Sequence, residues 1–142
     1  MARLHKSVAI DAPPDDVWAV LGDLAATKEW LPDTVDSHMD GDTRVCTTAD
    51  GAGIREAISD YSAERRTYRY RHLEVPLPIA NSVGSFAVDP RDGNGSVVVL
   101  EAEFDALDAD LEPELERMFG GALDEALESL RRRVETGASW NA

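Results

Sequence analysis

Five residues in the middle of the chain have side chains that do chemistry: Arg44, Glu56, Tyr68, Tyr70 and His72. All sit in segments that alternate apolar and polar residues. In an extended strand side chains point alternately to two faces, so residues two apart share one. In 43–48, Arg44, Cys46 and Thr48 share a face, and in 53–61 Ile54, Glu56 and Ile58 do. In 66–73, Tyr68, Tyr70 and His72 share a face opposite Arg69 and Arg71, which read as solvated. If these faces meet one core, a carboxylate, a guanidinium, two phenols and an imidazole stand in apolar surroundings.

A buried carboxylate needs a partner, and Arg44 or Tyr70 can supply it. Three roles are open to Glu56: a core ion pair that fixes the sheet, a polar contact to a bound molecule, or general acid/base work. His72 is either an ordinary strand histidine near the rim or a proton carrier toward an enolisable ketone, since imidazole titrates near neutrality. Arg44 could polarise a ligand carbonyl or carboxylate, in competition with its pairing to Glu56. Glu56 and His72 are thus the catalytic candidates. His5 and His38 have no partners at ligand spacing, so no metal site is expected, and no cofactor. Cys46, the single cysteine, excludes an internal disulfide framework and reads as a small apolar filler.

The elements that must position these residues follow from periodicity. Residues 8–23, VAIDAPPDDVWAVLGD, read as a strand (Val8, Ile10), a break at Pro13-Pro14 and a short helix. Asp15 and Asp16 suit the positive end of that helix, Val17, Trp18, Val20 and Leu21 form its apolar stripe, and Gly22 stops it. A second short helix, LAATKEWL (24–31), ends at Pro32. Strands then follow: 34–40 and 43–49 around Gly41-Asp42, IREAISDY after Gly53, and RRTYRYRHL after the Ala63-Glu64 turn. EVPLPIAN (74–81) carries two prolines and is expected as a loop or rim rather than a central strand. SVGSFAVDP and SVVVLEAEF pair around Asp92 to Gly95, completing an antiparallel meander.

From 112 onward the period changes to helical, with Leu115, Met118, Phe119, Ala122, Leu123, Ala126, Leu127 and Leu130 on one stripe. Gly120-Gly121 within it costs about 1 kcal/mol per residue relative to alanine, so either it is tolerated or a kink or close approach is wanted there. The tail SWNA, with Trp140, is expected to fray. Residues 1–136 make a single domain, with 137–142 as the tail. The fold class is α+β: a seven-stranded curved antiparallel sheet wrapped around a long C-terminal helix, with two short helices after strand 1. The gap between a curved sheet and one helix is a natural place for an apolar pocket.

Composition narrows function. At 142 residues and 43% hydrophobic residues, the chain is long enough for one real core. No apolar run approaches the roughly 20 residues needed to span a bilayer. The N-terminus lacks the apolar core of a signal peptide, so a cytoplasmic location is the expectation. The formal net charge of -14 repels phosphate backbones and anionic lipid, arguing against nucleic acid or membrane partners. Lys6 and Lys28 are the only lysines, and the acidic surface reads either as a solvated face or as adaptation to high salt.

In order along the chain, VAIDAPPDDVWAVLGDL, EWLP (29–32), Gly41 with Arg44, Arg55-Glu56, Tyr68 with Tyr70, PLPIAN (76–81), and the run from Val98 to Phe104 resemble the START-like, or Bet v 1-like, superfamily. The likeness is greatest to its bacterial polyketide cyclase/dehydrase and lipid-transport group. The resemblance covers the chain to about Val134 and implies a helix-grip fold with a hydrophobic cavity between sheet and last helix. It implies that Trp30 neighbours the cavity mouth, and that Met118, Phe119 and Leu123 are at once helix core and cavity wall. Tyr68, Tyr70, Phe86, Leu100 and Phe104 join Arg44, Glu56 and His72 as expected ligand contacts. The function expected is binding of a hydrophobic small molecule, such as a lipid, polyketide or aromatic metabolite, by a monomer or weak homodimer. An aromatase/cyclase-like enzyme doing aldol or dehydration chemistry would instead show an unpaired His72 or Glu56. A protein-interaction module would show a collapsed cavity and an exposed apolar patch.

Overall fold

The computed structural model describes residues 1–141. Its strands are β1 (Ala2–Ile10), β2 (Thr34–Asp40), β3 (Thr43–Thr48), β4 (Gly53–Ser62), β5 (Thr67–Glu74), β6 (Ile79–Arg91) and β7 (Gly95–Ala106). They form one antiparallel sheet in the order β1-β7-β6-β5-β4-β3-β2. Only β1 departs from the meander: it pairs with β7, from Ala2 opposite Phe104 to Ile10 opposite Ser96. The long α2 (Glu112–Thr136) packs on the inner face along β1, while α1 (Pro14–Leu21) and a 3-10 helix (Leu24–Glu29) close one end of the grip.

Local chemistry accounts for the tight start. Pro13 is the N-cap and Pro14 the first helical residue of α1, so neither removes a hydrogen bond the helix needs. Asp15 and Asp16 occupy its first turn. Gly22 follows it because the Trp18 ring lies against this backbone; a Cβ there would come within 2.5 Å of Trp18 Cε2. Tyr61 donates its hydroxyl proton to the Gly22 carbonyl at 2.8 Å and packs on Trp18, with ring centroids 5.3 Å apart. The short helices are thereby tied to the sheet.

The core has two parts. The larger joins Ile10, Val17, Leu21, Trp30, Tyr68, Tyr70, Phe86, Val88, Val98, Leu100, Ala126, Leu127 and Leu130. The smaller joins Ala2, Phe104 and Leu115, with Phe119 packed against them and stacked on Phe104 at 4.7 Å.

Three details depart from the sequence reading. Met118 is 48% exposed and lies outside both core clusters, although it was expected on the buried stripe and among the ligand contacts, and Ala122 of that stripe is exposed as well. At 100° per residue Met118 falls about 90° from the centre of the face formed by Leu115, Phe119, Ala126 and Leu130, the face α2 turns to β1. Residues 79–81, expected in a loop or rim rather than a central strand, begin the interior strand β6, with Ile79 opposite Ala106 and Ala80 opposite Asp105. The prolines at 76 and 78 stay outside the strand. The tail expected to fray is tied at Trp140, whose indole N–H donates to the Lys28 carbonyl at 2.9 Å. The glycine pair does not break α2; Gly120 is buried, and a Cβ there would meet Lys6 Nζ at 3.6 Å, an ordinary contact. Lys6 reaches along this face to Asp124 at 3.1 Å.

Candidate functional site

Register turns shared parity into contact. Arg44 lies directly opposite Glu56 on β4, and Glu56 directly opposite His72 on β5. Directly opposed residues bring their Cβ atoms to about 4.5–5.5 Å, so three long polar side chains form one row across the inner face. Arg44 donates from Nε to Glu56 Oε1 at 2.9 Å. Its Nη1 donates to Tyr68 Oη at 3.1 Å and to Thr27 Oγ1 at 3.2 Å. Glu56 Oε2 is 3.5 Å from His72 Nε2, and His72 Nδ1 is 2.7 Å from Ser82 Oγ. Arg44 is 3% exposed and Glu56 6%, so the pair is dry and has its partners. The chain Thr27/Tyr68–Arg44–Glu56–His72–Ser82 is hydrogen-bonded throughout except at the 3.5 Å charge contact between Glu56 and His72.

Electrostatics follow from that placement. Burial opposes the charge on Arg44, and the oxygens of Tyr68 and Glu56 outweigh it, holding its pKa above the ordinary value. Burial drives the Tyr70 hydroxyl well above the usual range and pushes the Cys46 thiol up to about 11, so Cys46 stays a neutral filler. Burial lowers the His72 pKa, Glu56 opposes this, and Arg44 adds to it.

The sign of the His72 shift sets a pH dependence. A histidine whose folded pKa lies below the unfolded value of 6.5 leaves the unfolded chain binding more protons between the two. Stability is therefore full above the unfolded pKa and falls as pH drops through 6.5 toward the folded value. Urea midpoints measured from pH 7.5 to about 5.5, a window chosen above the ordinary carboxylate pKa values, should decline in the native protein and decline less in H72Q. Equal slopes would show that His72 does not carry the effect.

An aromatic series runs beside the polar row. His72 lies 5.4 Å from Tyr70, Tyr70 6.0 Å from Phe86, and Phe86 6.2 Å from Trp30, each between ring centroids. Gly84 makes this possible: it is opposite Tyr70, and a Cβ there would lie 2.2 Å from Tyr70 Cζ. Any side chain larger than hydrogen would drive the ring off the sheet. At the far end Trp30 is 2% exposed, and its Nε1 is the one buried side-chain polar atom without a hydrogen-bond partner among the described residues. Its carbonyl accepts from the Ser129 hydroxyl, which seats it against α2.

The structure thus brings together Arg44, Glu56, Tyr68, Tyr70, His72, Phe86, Leu100 and Trp30, with Leu123 at their margin. Phe104 and Phe119 stand apart in the smaller cluster, and Met118 faces outward. Thr27 and Ser82 were missed. Ser82 opens the strand read at 82–90 and has the parity of Gly84 and Phe86, so its face was readable from the sequence although its role was not. A concavity of about 290 Å³ opens at this end, with His72, Ser82, Leu73, Val75, Ile79 and Ala80 in its lining. No group of three or more metal-ligating side chains occurs among the described residues.

A seven-stranded sheet gripping one C-terminal helix, with short helices after its first strand, defines the START-like helix-grip class. The family model described as "Polyketide cyclase / dehydrase and lipid transport" matches residues 1–135, and the chain belongs to that family. Among solved structures, XoxI from Bacillus cereus is 24% identical with a TM-score of 0.89, over 96% of this chain and 97% of that one. A START superfamily protein from Mycobacterium smegmatis is 12% identical with a TM-score of 0.82, over 96% and 99%. The di-domain ARO/CYC BexL of the BE-7585A biosynthetic pathway is 18% identical with a TM-score of 0.84, over 95% of this chain and 47% of that one. At these identities the likeness is one of fold. No curated protein matches the sequence. No helix of the described residues is long and apolar enough to cross a membrane.

Proposed function

We propose that this protein binds a hydrophobic small molecule on the inner face of the sheet, along the aromatic series from His72 to Trp30. The observation that carries this reading is the indole N–H of Trp30, buried and unpaired at the end of that series. A buried donor without an acceptor costs about 1–3 kcal/mol, and folded proteins leave few of them. An elongated or planar ligand with one terminal acceptor, a carbonyl or hydroxyl, would relieve that cost. Its apolar body would replace packing among Tyr70, Phe86 and Leu123. The concavity beside His72 offers the entrance.

The pairing within the polar row supports binding over aldol or dehydration catalysis, because that chemistry needs an acid or base aimed at the substrate itself, and here each is aimed at a protein neighbour. Glu56 is held by Arg44 and His72 by Ser82. The test is native mass spectrometry after gentle purification. A co-purifying compound of discrete mass, bound one to one, is the expected result. W30F should weaken its binding about tenfold, the loss of one hydrogen bond worth roughly 1.4 kcal/mol. Unchanged affinity in W30F would remove the indole from the site.

A further inference from the structure

The polar row ends in a feature that ligand binding leaves unused. Ser82 is 7% exposed, its Oγ is 2.7 Å from His72 Nδ1, and His72 Nε2 faces Glu56 Oε2 at 3.5 Å. Glu56 Oε2, in charge contact with Nε2 though not hydrogen-bonded to it, favours the tautomer with its proton on Nε2, which leaves the Nδ1 lone pair to accept from the serine hydroxyl. Arg44 holds Glu56 from the other side. A hydroxyl, an unprotonated imidazole and an orienting acid in one line is the arrangement that activates a serine. Serine hydrolases of familiar type use the ring in the opposite sense, but the chemistry requires only one basic nitrogen at the hydroxyl and one held proton at the acid.

The backbone at Ser82 is equally specific. The β6–β7 register breaks between Ala80 and Val83, and β5 pairs with β6 only from Val83 onward. Asn81 and Ser82 thus have no register partner on either neighbouring strand. Asn81 takes φ +54°, a conformation side chains rarely adopt, and its Nδ2 is tied to Asp105 Oδ2 at 2.9 Å. Sparsely populated backbone and strand bulges concentrate at functional sites. Ser82 and His72 both line the concavity of about 290 Å³, whose other walls are Leu73, Glu74, Val75, Ile79, Ala80 and Asn81.

We propose that Ser82, His72 and Glu56 form an acyl-transfer triad acting on esters or thioesters of small carboxylic acids. Ser82 Oγ bonds to the acyl carbon as its proton passes to His72 Nδ1, and the backbone N–H groups of the register break receive the developing oxyanion. The C–O or C–S bond to the leaving group then breaks, and the leaving alkoxide or thiolate takes that proton from His72. Water, deprotonated by the same nitrogen, hydrolyses the acyl-serine, releasing the acid and restoring the hydroxyl. Glu56 balances the charge of the transient imidazolium. The activity does not depend on the interior being occupied.

The probe is diisopropyl fluorophosphate, in which Ser82 Oγ would displace fluoride from phosphorus. One covalent adduct per chain is expected on the intact protein, mapping to the peptide that contains Ser82 and absent when the chain is first unfolded in urea. S82A should take no adduct, and H72Q should label about 100-fold more slowly. Hydrolysis of p-nitrophenyl butyrate should show the same order of variants. No adduct, an adduct on a tyrosine, equal labelling of folded and unfolded chain, or an unchanged rate in H72Q would each overturn the triad. Should S82A fail to fold, the mapped residue in the native protein decides. Because the reagent needs only the rim, its failure leaves the interior binding site untouched, and loss of the interior ligand leaves the triad untouched.

Discussion

Replacing Arg44 by methionine should lower the free energy of unfolding by about 3–5 kcal/mol, the usual loss when one partner of a buried ion pair is removed. The residue sits on β3 at 3% exposure and spends its donors on Glu56, Tyr68 and Thr27. Its loss leaves the Glu56 carboxylate dry, with His72 as the remaining polar neighbour at 3.5 Å. The charge is the cause, so the double variant R44M/E56L should recover most of the loss, since apolar pairs of similar volume often replace buried ion pairs at little cost. Urea unfolding of the three proteins measures this. A loss in R44M under about 1 kcal/mol would mean that the pair behaves as a solvated surface bridge.

Tyr68→Ala should cost a similar amount, about 3–5 kcal/mol, for a different reason. Its ring is fully buried and has Trp18 at 6.3 Å, Tyr61 at 6.5 Å and Phe86 at 5.2 Å, centroid to centroid. Arg44 lies over the same ring at 5.4 Å. Deleting the ring opens a cavity where the α1 plug meets the sheet, and these neighbours cannot all collapse into it. Tyr68→Phe separates the two contributions. It keeps the ring, removes one acceptor, and leaves Arg44 Nη1 its bond to Thr27, so about 1 kcal/mol is expected. If alanine and phenylalanine proved equally costly, the hydroxyl rather than the packing would be what Tyr68 supplies.

Much of this architecture was legible because it rests on short-range rules. Pro13-Pro14 can only end a strand and open a helix, and parity alone groups Tyr68, Tyr70 and His72 on one face of their strand, Arg44 with Cys46, and Glu56 with Ile54 and Ile58. What parity cannot supply is register. That Arg44 opposes Glu56, and Glu56 opposes His72, depends on the lengths of two hairpins and a break at Arg55/Glu56. Ser82 lay within the strand read at 82–90, but its meeting with His72 was not legible, because the break at Ala80/Val83 resets the pairing there. Met118 has the spacing of a core residue, yet the face α2 buries is set by β1, which no local period encodes. Trp140 lies in a polar tail, and only the folded chain brings the Lys28 carbonyl within its reach.

The central claim, that an apolar ligand is received at Trp30, is tested most directly by ¹⁵N–¹H NMR of the indole N–H groups. Spectra are recorded on the protein as purified and after its bound small molecules are stripped by reversible unfolding. The Trp30 resonance is assigned by its loss in W30F. It should move downfield in the as-purified sample, as its N–H gains an acceptor, while the Trp140 resonance stays in place because its bond to Lys28 is unaffected. Identical Trp30 resonances in both samples, with no difference in native mass, would contradict the binding of a ligand at this donor.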